Sequence, residues 1–324
     1  MHRQEAPIPF LFRLDLHRWQ QLVSPTWVSA LIAGRSVVAA PAKRWLLLEI
    51  GFGAMDAYLQ AHIPGAGYID TSEFENGPLW NKVADAVLVD LLLGCGIRHD
   101  TTVILYGRNP LAAARVAHLM LYIGVDDVRL IDGGYAAWTR LSLPLEHGLP
   151  APFHAVPNFG AHYPANPEYL LDMPQTKRLL EARADACLVS VRTWNEFIGE
   201  TSGYSYIPAK GEIAGAIWGR SGKDYDVNSM SEFHDVHGRM RAAAEISQMW
   251  RAKGICPDKQ TVFYCGTGWR ASLAFFYAWL MNWKRISVYD GGWCEWSRDP
   301  DNPVDCRACA TSYPATPLEK AMAG

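Results

Sequence analysis

Short apolar runs alternate with longer helical patterns along the chain. Trp45 to Ile50, Val103 to Tyr106 and Val128 to Ile131 are four to six residues long, the length of buried strands. Leu111 to Ile123 carries apolar residues and alanines on most faces, which predicts a helix packed on more than one side. Cys187 to Val191, Thr261 to Tyr264 and Ile286 to Tyr289 then read as strands, and Ala271 to Trp283 as a helix. This alternation implies an α/β fold, with a mostly parallel sheet flanked by helices. Ligands of such sheets bind beyond the carboxyl ends of the strands.

The pattern repeats because the sequence repeats. Gly96-Ile97-Arg98-His99-Asp100 faces Gly254-Ile255-Cys256-Pro257-Asp258, and Ile131-Asp132-Gly133-Gly134 faces Tyr289-Asp290-Gly291-Gly292. Both offsets are 158 (254 − 96 and 289 − 131). Upstream, His62-Ile63-Pro64-Gly65-Ala66 faces Glu212-Ile213-Ala214-Gly215-Ala216 at 150, and Leu47 faces Leu188 at 141. Insertions in the second half account for the growth; one is the Tyr-, Ser- and Gly-rich stretch Glu200 to Ala209, predicted to be a loop. Two tandem domains follow, 22–147 and 168–303. Between them, 148–167 reads as a proline-rich ordered linker, and 304–324 as a tail without counterpart.

Composition narrows the class. Of 324 residues, 49% are hydrophobic and 19% charged, so disorder is excluded as the main state. A net charge of −3 argues against a general nucleic-acid partner. No apolar run is long enough to span a membrane, and the first residues lack the apolar core of a secretory signal. Seven scattered cysteines do not make a disulfide framework. These features predict a soluble, cytoplasmic protein. Thirteen tryptophans point to aromatic anchors in the core or around a pocket.

One strand-loop-helix carries the chemistry. Cys265 ends the strand Thr261 to Tyr264, and Gly266-Thr267-Gly268-Trp269-Arg270 leads into the next helix. Two glycines let the backbone curl so that several N–H groups face one centre. The helix start adds partial positive charge, and Arg270 a full one if it folds back. Such surroundings favour thiolate and make Cys265 a candidate nucleophile rather than a buried structural thiol. In the first half the aligned position is Gly107, followed by Arg108-Asn109-Pro110, so the scaffold is kept without the thiol.

The tandem halves, the Cys-x-x-x-x-Arg loop in the second half only, and Asp-Gly-Gly followed by Trp138 or Trp296 resemble two-domain rhodanese-type sulfurtransferases. Ala61-His62-Ile63-Pro64-Gly65-Ala66 resembles the family's His-Ile-Pro-Gly-Ala signature. Val191-Arg192 with Glu196-Phe197 and Gly199 resembles its Asp-x-Arg segment. The resemblance covers about residues 22 to 303. It implies transfer of sulfane sulfur from thiosulfate or 3-mercaptopyruvate, through a persulfide on Cys265, to a thiol, cyanide or protein acceptor. It implies Cys265 and Arg270 as catalytic, and Gly266, Thr267, Gly268 and Trp269 as the cradle, with no metal or organic cofactor. The chain departs from the family at Ser190, where Asp is usual, and at Glu212 and Ala214, where His and Pro are usual. Glu196 stands where the mercaptopyruvate enzymes tend to place a substrate-binding Arg, although the loop Cys-Gly-Thr-Gly is closer to their type.

Arg192 and Arg220 are candidates for binding an anionic donor, with Lys223 beside the latter; fixing a loop is the alternative for Arg192. Trp269 is a candidate pocket wall. Asp132-Gly133-Gly134 and Asp290-Gly291-Gly292 read as structural turns, and His62 as packing. Cys306-Arg307-Ala308-Cys309 is either incidental or a relay dithiol. Two other functions compete: a cysteine phosphatase or arsenate reductase, and a non-catalytic binding module. Phosphatases of this arrangement place five residues between Cys and Arg; here there are four, Gly266 to Trp269.

Overall fold

The computed structural model describes residues 12–182 and 185–310, with side chains up to residue 308. Each half builds a five-stranded sheet. In the first, β1 (Leu22–Val23), β2 (Trp45–Gly51), β3 (Gly67–Asp70), β4 (Thr102–Tyr106) and β5 (Asp127–Ile131) lie in the order β1-β5-β4-β2-β3. In the second, β6 (Leu170–Leu171), β7 (Ala186–Ser190), β8 (Ile217–Trp218), β9 (Gln260–Tyr264) and β10 (Ile286–Tyr289) lie in the order β6-β10-β9-β7-β8. All neighbouring strands are parallel. Counted from the start of its own half, each sheet has the same order, so the repeat in sequence is a repeat in topology. The central strands are covered on both faces, which is why they read as unbroken apolar runs. The edge strands β1, β3, β6 and β8 escaped prediction because two to four residues are too few to show a period.

Helices α1 (Pro110–Ile123) and α2 (Trp269–Leu280) pack against each other across the two halves. Every residue of α1 after Pro110, and of α2 after Trp269, is buried. Each helix covers its own sheet and its sister helix at once, so it is apolar nearly all round. One hydrophobic cluster therefore runs through both halves, from Leu16 to Val288. Helix α2 begins two residues earlier than predicted, because Gly268 at φ 98° supplies its left-handed N-cap. It ends three residues earlier, just before Asn282 turns left-handed at φ 68°. The segment 148–167 has almost no regular structure and is pinned by the buried Phe159.

The two Asp-Gly-Gly turns clamp the halves reciprocally. The carboxylate of Asp132 accepts the Met240 N–H at 2.8 Å, and that of Asp290 accepts the Lys82 N–H at 2.9 Å. Met240 and Lys82 are themselves 158 residues apart (240 − 82), so each half offers its partner the same contact.

Candidate active site

Cys265 follows β9 directly, and its loop rests on the second Asp-Gly-Gly turn. The Trp293 N–H donates to the Cys265 carbonyl at 2.8 Å, and the Cys294 N–H to the Gly266 carbonyl at 3.0 Å. Gly292 has φ 52°, and a Cβ there would stand 2.5 Å from the Cys265 carbonyl oxygen. Only glycine lets the turn lie this close beneath the loop. The Gly268 N–H, at the head of α2, donates to Cys265 Sγ at 3.2 Å. The thiol is 1% exposed. The expected convergence of backbone N–H and helix start on the sulfur is thus present at one donor.

The Arg270 side chain is held by protein partners, with its charge still acting on Cys265. Its guanidinium is fully buried and forms a two-pronged pair with Glu196, Nη1 to Oε2 at 2.7 Å and Nη2 to Oε1 at 2.9 Å. Nη2 also donates to the Tyr204 hydroxyl at 2.8 Å. Burial pushes the Glu196 carboxyl upward, but Arg270 and Arg192 outweigh it and hold the group down at about 2. Glu196 also closes a capping box with Thr193. Glu196, where the resemblance to mercaptopyruvate enzymes led us to expect an Arg, is the shared counter-ion of two buried arginines.

Arg192 belongs to this network and not to the surface of the cleft. It is fully buried and bonds Glu196 at 3.3 Å, Glu212 at 3.4 Å and the Gly211 carbonyl at 2.7 Å. The unusual Ser190 and Glu212 explain each other. Ser190 Oγ donates to Glu212 Oε2 at 2.6 Å, and the Tyr264 hydroxyl donates to Oε1. In the first half the aligned positions hold Glu49 on the strand and His62 in the loop, beside Tyr106. The carboxylate has moved from the central strand to the short strand Glu212–Ile213, and a short hydroxyl has taken its place. Arg220 is also engaged elsewhere, with Glu232 at 2.5 Å. Neither Arg192, Arg220 nor Lys223 lines the cleft beside the loop.

That cleft has a volume of about 490 Å³ and lies between the halves. Thr267, Trp269 and Arg270 form its wall on the loop side. Its remaining aromatics were not anticipated. Trp269 meets Phe52 at 5.7 Å between ring centres, Phe52 meets Trp80 at 6.0 Å, Trp80 meets Tyr206 at 6.2 Å, and Tyr206 meets Tyr204 at 5.4 Å. Tyr204 and Tyr206 come from the inserted loop, whose aromatic content was the one available signal. Tyr204 lies so close on Gly266 that a Cβ there would be 2.3 Å from the ring. The first half also reaches the loop directly. Glu75 accepts from Trp269 Nε1 at 2.6 Å and from Arg115 Nε at 3.0 Å, and Arg115 Nη2 donates to Asp290 at 2.5 Å. Burial pushes the Glu75 carboxyl up to about 7 against the pull of Arg115.

Cys306 is disulfide-bonded, and the side chain of Cys309 lies outside the described residues. Among the described residues no group of three or more His, Cys, Asp or Glu side chains could hold a metal ion. Among them, no helix is long and apolar enough to cross a membrane.

The rhodanese-like domain family matches this chain twice, at residues 42–141 and 167–299. The chain belongs to the rhodanese-like domain family and carries the domain in tandem. Within the family it is 56% identical over 289 residues to the protein named thiosulfate sulfurtransferase YnjE of Escherichia coli. That match takes in 89% of this chain but only 66% of YnjE. The crystal structure of YnjE superposes with a TM-score of 0.87 over 90% of this chain and 69% of that one. An anaerobic ergothioneine biosynthesis enzyme from Chlorobium limicola, in complex with trimethyl histidine, is 40% identical. It superposes with a TM-score of 0.85 over 90% of this chain and 71% of its own. The first-half counterpart of Cys265, Gly107, has no room for a side chain. A Cβ at Gly107 would lie 2.5 Å from the Asn109 carbonyl oxygen and 3.0 Å from that of Ile50. Gly107→Cys is therefore expected to lower stability by roughly 1–3 kcal/mol. It is expected to load no cyanide-removable sulfur on the first half; denaturant unfolding and intact mass on a Cys265→Ser background check both.

Proposed function

We propose that this chain moves sulfane sulfur through a persulfide on Cys265. The observation that carries this is the position of that thiol: carboxyl end of β9, five residues before Arg270, with the Gly268 N–H on its sulfur. The Cys265 thiolate attacks the outer sulfur of thiosulfate, forming the S–S bond of the persulfide as the bond to the sulfite sulfur breaks. With 3-mercaptopyruvate the C–S bond breaks instead, and the thiol proton ends on the carbon of pyruvate. An acceptor thiolate or cyanide then takes the outer sulfur and Cys265 leaves as thiolate. Loop N–H groups would stabilise each developing sulfur anion. The four-residue loop speaks against a phosphatase, as does the two-pronged pairing of Arg270 with Glu196. A protein acceptor is part of the proposal; a relative from Thermus thermophilus, 28% identical over 294 residues, is named sulfur carrier protein TtuD.

The test is intact mass after incubation with either donor. The expected result is a gain of one sulfur atom, located on Cys265 by peptide mapping and removed by cyanide or dithiothreitol. A protein that stays unmodified with both donors overturns the proposal.

For the donor, the cleft favours 3-mercaptopyruvate over thiosulfate. Among the described residues, the arginines lining it are Arg108 and Arg270, each paired with a carboxylate. A compact dianion loses more than a monoanion where the lining arginines are already paired, and the organic donor also finds aromatic walls. With one acceptor, kcat/KM is expected to be higher for 3-mercaptopyruvate. A thiosulfate value about tenfold the higher, equivalent to about 1.4 kcal/mol, would reverse this choice.

A further inference from the structure

We propose that the first half, which lacks the thiol, supplies two positioning residues for Cys265: Arg115 of α1 and Glu75 of a short hairpin. Acting through Gly268 and Trp269, they set the loop and the charge behind the sulfur. The hairpin pairs Glu75–Asn76 with Asn81–Lys82. Arg115 is fully buried against the cysteine loop. A Cβ at Gly268 would lie 3.0 Å from its Nη1, and it is the Gly268 N–H that reaches Cys265 Sγ at 3.2 Å. Arg115 Nε donates to Glu75 at 3.0 Å and Nη2 to Asp290 at 2.5 Å. Nη1 has no hydrogen-bond partner among the described residues. Two carboxylates thus fix the guanidinium with its unpartnered nitrogen toward Gly268. Glu75, itself 2% exposed, uses its other oxygen to accept from Trp269 Nε1 at 2.6 Å. A charge-assisted bond therefore ties the residue before Arg270 to the other half.

The duplication supplies an internal control. At the offset of 158 that places Gly107 opposite Cys265, the counterpart of Arg115 is Leu273 (273 − 115). Glu75 pairs with Lys82 in its hairpin, and its counterpart is His234, which pairs with Met240. Leucine and histidine thus stand beside the loop without the thiol, where the loop with the thiol has arginine and glutamate. Burial pushes the His234 imidazole down to about 4, and its Nε2 bonds the Tyr277 hydroxyl at 2.8 Å. Both interfaces seat an Asp-Gly-Gly turn on a hairpin N–H, so docking by itself does not require the Arg–Glu pair. Taking a guanidinium and its carboxylates out of water costs free energy that a leucine does not. The buried arginine stands on the side where a sulfur anion would form, and there a fixed positive charge favours that anion.

The inference rests on the sulfur-transfer reading for its purpose, but ionisation of the thiol can be read without a donor. Ultraviolet thiolate absorbance of the full chain, taken against the same protein carrying Cys265→Ser, gives the Cys265 midpoint. Arg270, Tyr204 and Tyr206 also act on this thiol. Glu75 is faced by Arg115, Trp269, Asp290 and Tyr206, with Lys82 opposite it in the hairpin. Each variant replaces one member of this set and keeps the others. Arg115→Leu, the residue of the sister helix, removes a cation and is expected to raise the midpoint by about 0.5 or more; Glu75→Gln removes an anion and is expected to lower it by about as much. Loosening of the interface alone would move both the same way. His234→Gln disturbs the sister hairpin and is expected to leave the midpoint within about 0.2 of the parent. With one donor, Arg115→Leu should lower kcat about tenfold or more while KM changes less than about threefold, and Arg115→Lys should recover part of the loss. Midpoints that stay in place, or that move in one direction for Arg115→Leu and Glu75→Gln, overturn the assignment. If Arg115→Leu does not fold, Glu75→Gln decides alone: a midpoint that stays or rises overturns it. Persulfide loading is read on the same preparations. Loading by the parent with unmoved midpoints removes this inference alone, and opposite shifts in a parent that takes up no sulfur remove the sulfur-transfer reading alone.

Discussion

Cys265→Ser is expected to abolish sulfur transfer from either donor to below about one per cent of the parent rate. An alkoxide is not available from serine near neutral pH, and no persulfide can form on oxygen. The substitution is close to isosteric, and the Gly268 N–H that reaches Sγ at 3.2 Å can donate to a hydroxyl as well. Unfolding free energy should therefore change by about 1 kcal/mol or less. Steady-state cyanide assays with both donors, beside urea unfolding of parent and variant, check the two halves of this expectation. Activity retained at tenfold that level or more would move the nucleophile to another residue. Cys294 is next to be examined, because its N–H already holds the loop at Gly266.

The second large effect belongs to Glu196. Glu196→Gln leaves Arg192 and Arg270 buried with one carboxylate, Glu212, where there were two. Removing one member of a buried ion pair costs roughly 3–5 kcal/mol. The helix start at Arg270 and the anchor of Tyr204 loosen with it, so transfer should also slow. The pH dependence identifies the cause. Glu196 is held down at about 2 in the folded protein, below its unfolded value of about 4.3. A depressed carboxyl contributes stability that is present above the unfolded value and is lost as pH falls toward the folded one. The parent should lose this contribution between about pH 4.5 and 2, and the Gln variant has none to lose. Urea unfolding at pH 7 and again near pH 3 should show the gap between them narrowing. A gap of constant size would mean that the ion pairs are not what Glu196 supplies.

Much of the scaffold was legible in the chain. The central strands are buried on both faces and wrote themselves as apolar runs. The exact offset of 158 exposed the duplication because both copies need the same turns and strand ends. The cysteine loop was readable because its parts are local: a strand, two glycines and a helix start within a dozen residues. Its neighbours were not readable. Arg192 and Arg220 read as candidates for binding substrate, yet each is paired with a protein carboxylate. Arginine is equally suited to a ligand carboxylate and a protein one, so only proximity tells them apart.

The amino-acid sequence alone determined the α/β repeat, the loss of the thiol from the first half, and the place of Cys265 at a strand end. These depend on period, local turn chemistry and residue identity, which neighbouring positions carry. Tertiary structure alone decided that Ser190 and Glu212 form one matched exchange and that Arg270 spends its charge on Glu196. It also decided that Phe52 and Trp80 complete a collar with Tyr204, Tyr206 and Trp269. Those contacts join residues from separate elements, and in the collar from separate halves. No periodicity records such a meeting; it is set by how two sheets dock through α1 and α2.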